Sequence, residues 1–167
     1  MRIVCALAAK RDSSFFARGK KQLTVCKFPH IIIITEGGYM RFLLVEDSRT
    51  TRNLIKSYVK EMDLGRPASF LEAENGEVAM EMLKSNHVDF VFLDWNLSSL
   101  MTGLDVLLEI RKQEKHKQLP VIMVTSEADK PNVIKAMKCG ANDYAVKPID
   151  KRVLTEKVMK IVMNAMH

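Results

Sequence analysis

From Met40 onward the sequence predicts an α/β fold, a five-stranded parallel sheet covered on both faces by helices. Two observations point there. Short apolar runs alternate five times with stretches of helical periodicity. The runs are also close to continuously apolar, as in strands buried on both sides. Right-handed crossovers between parallel strands then leave a doubly wound sandwich.

The elements follow in order. "RFLLV" is the first strand and ends at Glu46-Asp47. "SRTTRNLIKSYVKEM" is a helix with Ser48 as N-cap and Leu54, Ile55, Tyr58, Val59 and Met62 at helical spacing. "ASFLEA" is the second strand, followed by a helix from Gly76 to Ser85 with Val78, Ala79 and Met82 on one face. "DFVFLD" is the third strand and "GLDVLLEIRKQ" the third helix. "PVIMVT" is the fourth strand, with Pro120 at a first position that tolerates it. "KPNVIKAMKCG" is the fourth helix, with Pro131 in its first turn and Gly140 at its C-terminal cap. "DYAVK" and "DKRVLTEKVMKIVMNAM" complete the series. Met80, Met82, Met123, Met137, Met159 and Met163 fall at core-facing spacings and read as gap-filling side chains.

The 167 residues, 47% hydrophobic and 28% charged, make one globular domain with a segment left over. The net charge of +6 is uneven: Met1 to Tyr39 hold 7 Lys/Arg against 2 Asp/Glu, and the remainder 19 against 18. No basic stripe with interleaved aromatics lies in the main body, so a nucleic-acid partner is not expected. No apolar run is long enough for a bilayer, so no membrane partner is expected either. Cys5, Cys26 and Cys139 are scattered without metal-site spacing, which suits a reducing cytoplasm. Residues 1–39 carry no periodicity that packs. "KFPHIIIIT" reads as one strand without an obvious partner, and Glu36-Gly37-Gly38 before Met40 fits a purine-rich run ahead of a start codon. The expectation is a disordered extension or a translated leader over 1–39, and a single domain over 40–167.

In open parallel sheets the ligand site lies beyond the carboxyl ends of the strands. Those ends carry Glu46 and Asp47, Asp94, Thr125 and Lys147. Carboxylates gathered at one edge raise one another's pKa unless a cation sits among them, and an all-oxygen set suits Mg²⁺. Thr125 supplies a hydroxyl donor and Lys147 a positive charge. The combination describes a metal-assisted phosphoryl acceptor with Asp94 as nucleophile. No GxGxxG follows the first strand, which disfavours a dinucleotide site.

"LLVEDS", "VFLDWN", "IMVTSEA" and "GANDYAVKP" together resemble the receiver domain of response regulators, over about three quarters of the chain. The resemblance implies a flavodoxin-like (βα)5 sandwich with strand order 2-1-3-4-5. It implies that Asp94 takes a phosphoryl group from a sensor histidine kinase. Asp47 and Asp94 would ligate Mg²⁺ directly, with Mn²⁺ an alternative, Glu46 through water and Asn96 through its backbone carbonyl. Lys147 would pair with the phosphoryl group, Thr125 and Tyr144 would form the switch, and Asn96 and Glu127 would tune dephosphorylation. Self-phosphorylation and self-dephosphorylation would be weak at most.

The resemblance further implies a stand-alone cytoplasmic switch read by a protein partner through Lys130, Asn132, Lys135, Tyr144 and Lys151. In chemotaxis that partner is the flagellar motor switch, in a relay another phosphotransfer protein; a phosphatase is a further partner. The loop after Asp94 departs from the family. Ser98 stands where a proline is usual, and Gly103 lies one position later than usual, which bears on loop stiffness, kinase access and metal affinity. A rival reading is an aspartate-nucleophile phosphohydrolase. It needs a second aspartate two residues after the nucleophile, where this chain has Asn96, which cannot shuttle a proton. A pseudo-receiver that only binds partners is the remaining alternative.

Overall fold

The computed structural model describes residues 23–28, 31–36, 38–126 and 130–165. The main sheet contains β3 (Met40–Val45), β4 (Ala68–Ala73), β5 (Phe90–Asp94), β6 (Val121–Thr125) and β7 (Asp143–Val146). Its order is β4-β3-β5-β6-β7 and every pairing is parallel. Counted from Met40, that is the expected order 2-1-3-4-5.

Five helices connect and cover the strands: α1 (Arg49–Lys60), α2 (Gly76–Ser85), α3 (Gly103–Lys112), α4 (Lys130–Lys138) and α5 (Lys151–Ala165). Alternation along the strands sorts the core into two layers. Phe42, Leu44, Phe90, Phe92, Ile122 and Val124 face Ile55 and Val59 of α1 and Leu154 and Val158 of α5. Leu43, Val45, Val91, Leu93, Val121 and Met123 face Leu83 of α2, Val106 and Leu107 of α3 and Ala136 of α4. The first layer is centred on Phe42, whose ring centroid lies 5.5–6.0 Å from those of Phe70, Phe90 and Phe92. These contacts fix the relative height of the central strands, and so the line on which their carboxyl ends meet.

Local signals behave as the sequence reading expects. Ser48 Oγ accepts from the Thr51 amide, and Gly140 takes φ +96° after α4. Two details differ. On α2 the deepest side chains are Ala79 and Leu83, while Val78 and Met82 are only partly buried. Met137 and Met163 are exposed, because the helical stripe toward the sheet is narrower than their spacing suggests; Met123 alone of that group is fully buried.

Upstream, β1 (Leu23–Phe28) and β2 (Ile31–Glu36) pair antiparallel in a separate two-stranded sheet. The isoleucine run is a strand and has a partner: Phe28 lies opposite Ile31, and Leu23 opposite Glu36. Lys27 and Phe28, read with the isoleucines as one run, belong to the other strand. The remainder of the expectation for 1–39 lies largely outside the described residues.

Candidate functional site

The parallel register brings four strand ends to one edge. Val45 lies beside Leu93, Asp94 beside Val124, and Thr125 beside Val146. Backbone bonds extend the ladder one step further: Glu46 N donates to Ala73 O (3.0 Å), Trp95 N to Val124 O (2.9 Å) and Lys147 N to Thr125 O (2.8 Å). Glu46, Asp94 and Thr125 are thereby buried at 2%, 3% and 4% exposure, while Asp47 stays exposed.

One ligand oxygen from each of Glu46, Asp47 and Asp94 lies within 4.8 Å of the others. The Lys147 ammonium stands 2.8 Å from Asp94 Oδ2 and 2.7 Å from Glu46 Oε2. The Asp94 contact is the better aligned as a hydrogen bond, and Glu46 Oε2 is a buried carboxylate oxygen paired with that ammonium. Asp94 Oδ1 accepts from the Asn96 amide (3.2 Å), and Glu46 Oε1 from the Ser48 amide (3.2 Å). Three carboxylates gathered around a single ammonium, two of them buried, are an all-oxygen set that suits a hard divalent cation.

The electrostatics follow from this packing. Desolvation by burial pushes the Glu46 pKa up, opposed by Lys147 and reinforced by the charge of Asp94. Burial pulls the Lys147 pKa down, yet the hydrogen bond from its ammonium to Asp94 and the contact with Glu46 outweigh that, and the net shift is upward. The Ser98 hydroxyl holds the Asp47 carboxyl below its ordinary value.

Thr125 and Met123 share a sheet face, and Tyr144 pairs with Met123, so Thr125 and Tyr144 stand on the same side of the sheet. The Tyr144 ring is partly buried against that layer, with Lys157 Nζ 4.8 Å from its centroid. Asn96 is exposed, and its side-chain amide reaches Ser126 Oγ at 3.5 Å. Glu127 lies outside the described residues.

The loop between β5 and α3 is held closed at its neck. Gly103 N donates to Trp95 O (3.0 Å), closing the neck. A Cβ at Gly103 would sit 1.9 Å from Asp94 O, so only glycine allows α3 to start against the backbone of the acceptor. Leu97 is buried, Met101 packs on the α2/α3 layer, and Leu100 projects outward at 99% exposure. Ser98 Oγ donates to Asp47 Oδ2.

Sequence reasoning missed Arg52. This α1 residue is 4% exposed; its Nη1 donates to Glu46 O (2.6 Å) and Asp47 O (3.1 Å). Its Nε and Nη2 reach Glu72 Oε2 and Glu74 Oε1, both at 2.9 Å. The available signal was position: Arg52, Ile55 and Val59 form one stripe at helical spacing, and a guanidinium in an apolar stripe must be meeting acceptors. Ser98 was noted only as a missing proline, because its partner is distant in sequence.

A doubly wound parallel sheet with three carboxylates and a lysine at its C-terminal edge defines a class of α/β domains built to hold a cation beside an acidic nucleophile. The family model described as "Response regulator receiver domain" matches residues 42–159, and the chain belongs to that family. Its members are phosphoacceptor signalling switches of two-component systems rather than classical enzymes. The chain is 42% identical to chemotaxis protein CheY of Pseudomonas aeruginosa over 122 residues, 73% of this chain and 95% of that protein. Among solved structures, the signal receiver domain of a signal transduction histidine kinase from Syntrophus aciditrophicus aligns with TM-score 0.65 and 26% identity. That alignment covers 74% of this chain and 90% of the other. The Mn²⁺-bound form of response regulator Rcp1 aligns with TM-score 0.61 and 26% identity, over 73% and 91%. Among the described residues no helix is long and apolar enough to cross a membrane.

Proposed function

We propose that this chain accepts a phosphoryl group on Asp94 from the phosphohistidine of a sensor histidine kinase and thereby switches a protein-binding face. The observation that carries the reading is Asp94 itself. Its carboxylate is buried, 2.8 Å from the Lys147 ammonium and clustered with Glu46 and Asp47. The bond formed is from an Asp94 oxygen to phosphorus; the bond broken is from phosphorus to the kinase histidine, whose nitrogen leaves with the electron pair. Glu46, Asp47, Asp94 and the Asn96 carbonyl would hold Mg²⁺, or Mn²⁺ in its place, which when bound neutralises charge on the phosphoryl oxygens.

Lys147 places a fixed positive charge beside the acceptor, where phosphoryl charge arrives. Thr125 offers its hydroxyl to the arriving phosphoryl group from the end of β6, and Tyr144 couples that contact to the face formed by α4, β7 and α5. Asn96 and Glu127 govern how long the acyl phosphate survives, and self-phosphorylation and self-dephosphorylation are weak. The similarity to chemotaxis proteins supports a cytoplasmic role in flagellar motor control, with the motor switch protein as output partner and a phosphatase as a further one.

Trp95 adjoins the acceptor and is the one tryptophan of the chain, so its fluorescence reports the site. Beryllofluoride with Mg²⁺ is expected to give a saturable change that is absent in Asp94→Asn. No change in the wild type, or an equal change in the variant, would overturn the reading.

A further inference from the structure

Of the three clustered carboxylates, two are fixed by their surroundings. Glu46 and Asp94 are buried at the strand ends and flanked by Lys147. Asp47 is exposed, and burial does not hold its side chain. The Ser98 hydroxyl donates to its Oδ2 from the loop beyond β5, and the Ser48 amide and the Glu46 carboxyl also lie against it. That loop is anchored on both sides of Ser98, by buried Leu97 before it and by Met101 and the Gly103–Trp95 bond after it. The hydroxyl is therefore presented from a fixed position. Met101 and Val106 also meet Gly76 so closely that a Cβ there would lie 2.8 and 2.7 Å from their side chains. The loop is thus wedged against the start of α2.

We propose that Ser98 is a positioning residue for the cation site, whose hydroxyl holds the Asp47 carboxylate beside Glu46 and Asp94. The inference rests on the reading that this cluster takes a divalent cation. A carboxylate has about four lone-pair sites, so accepting one hydrogen bond leaves Asp47 free to ligate. Holding it in place removes rotamer freedom that binding must otherwise freeze. A proline at this position has no hydroxyl to offer. In this chain the longer loop and the serine together do by hydrogen bonding what a stiffer loop leaves undone, and they make cation affinity depend on the β5–α3 loop.

The test is Mg²⁺ titration of the full chain, stripped with chelator, followed by calorimetry and by Trp95 fluorescence. Wild type, Ser98→Ala and Ser98→Thr are compared, with thermal melts to show that each is folded. Partners of metal ligands typically change affinity about 10–100-fold when removed, and for this exposed contact Ser98→Ala is expected near the lower end, about tenfold weaker. Ser98→Thr retains the hydroxyl and is expected within about twofold of wild type. Three results would overturn the inference: an Ala variant that binds as wild type does, an Ala variant that binds more tightly, or equal weakening in Ala and Thr. A wild type with no saturable Mg²⁺ binding would instead overturn the reading of the cluster as a cation site, and the inference with it.

Discussion

Gly103 is a position where one added methyl group has no room. Its Cβ would meet the Asp94 carbonyl at 1.9 Å and the Trp95 Cα at 3.0 Å, and backbone cannot swing aside as a side chain does. Gly103→Ala is expected to lower stability by about 1–3 kcal/mol or more and to weaken Mg²⁺ binding, because α3 must retreat or Asp94 must move. Gly38→Ala, with nothing within 4 Å, is the matched control and should change neither. His116 sets a pH dependence away from the site. It is 7% exposed, with Nε2 3.2 Å from Leu83 O, and burial pulls its pKa below the ordinary 6.5. Its backbone bond opposes that shift, while the nearby charges of Lys115 and His87 reinforce it. Below about pH 6.5 the unfolded chain binds this proton more readily than the folded one, so stability must fall as pH drops through that value. Melting temperatures from pH 7.5 to 5.5 should show the decline in the wild type and a shallower one in His116→Gln. Equal slopes would mean that the imidazole is charged without cost in the fold.

At the scale of elements, α1 does more than cover the sheet. Arg52 ties the turn after β3 to the acidic residues at and beyond the end of β4, so the carbonyls of Glu46 and Asp47 are held from below by one guanidinium. Arg52→Ala removes a hydrogen-bonded charge from a buried carbonyl, at about 2 kcal/mol, an amount kept low because Glu72 and Glu74 are partly exposed and screened. Denaturant unfolding should show that loss, with Arg52→Lys intermediate, since an ammonium cannot fork to all four acceptors. The elements themselves were legible from the sequence, because apolar runs and helical stripes are local patterns. Glu46, Asp47, Asp94 and Lys147 were legible for a related reason: a parallel sheet brings its carboxyl ends to one edge whatever the side chains do. Arg52 and the Ser98–Asp47 bond were not. Each joins residues far apart in the chain, 20 positions for Arg52–Glu72 and 51 for Ser98–Asp47, and no local period encodes such a pairing. The exposure of Met137 and Met163 was missed because spacing gives the direction of a stripe but not its width.

Across the whole molecule, two sheets share one chain without sharing a ladder. Among the described residues β1 and β2 pair only with each other, and the five strands of the main sheet all lie from Met40 onward, with β4 and β7 at its edges. Among the residues whose burial is described, both core layers are likewise built from Met40 onward. The charge divides at the same place: residues 38–167 hold 19 Lys/Arg against 18 Asp/Glu, so nearly all of the net +6 belongs to the preceding segment. If folding free energy resides in the sheet and its five helices, a chain of residues 38–167 should fold by itself. Its melting temperature should stay within about 2 °C of the full chain, since 1 kcal/mol corresponds to a shift of about 2–8 °C in domains of this size range. Its Mg²⁺ affinity should be unchanged, because every carboxylate of the cluster and the lysine beside it follow Met40. Its retention on a cation exchanger should fall sharply with the loss of five net positive charges. A large drop in melting temperature would instead show that the hairpin packs on the domain and contributes to its stability. Tighter Mg²⁺ binding at unchanged stability would place the basic segment near the acidic edge, where its positive charge repels the cation from outside the sheet.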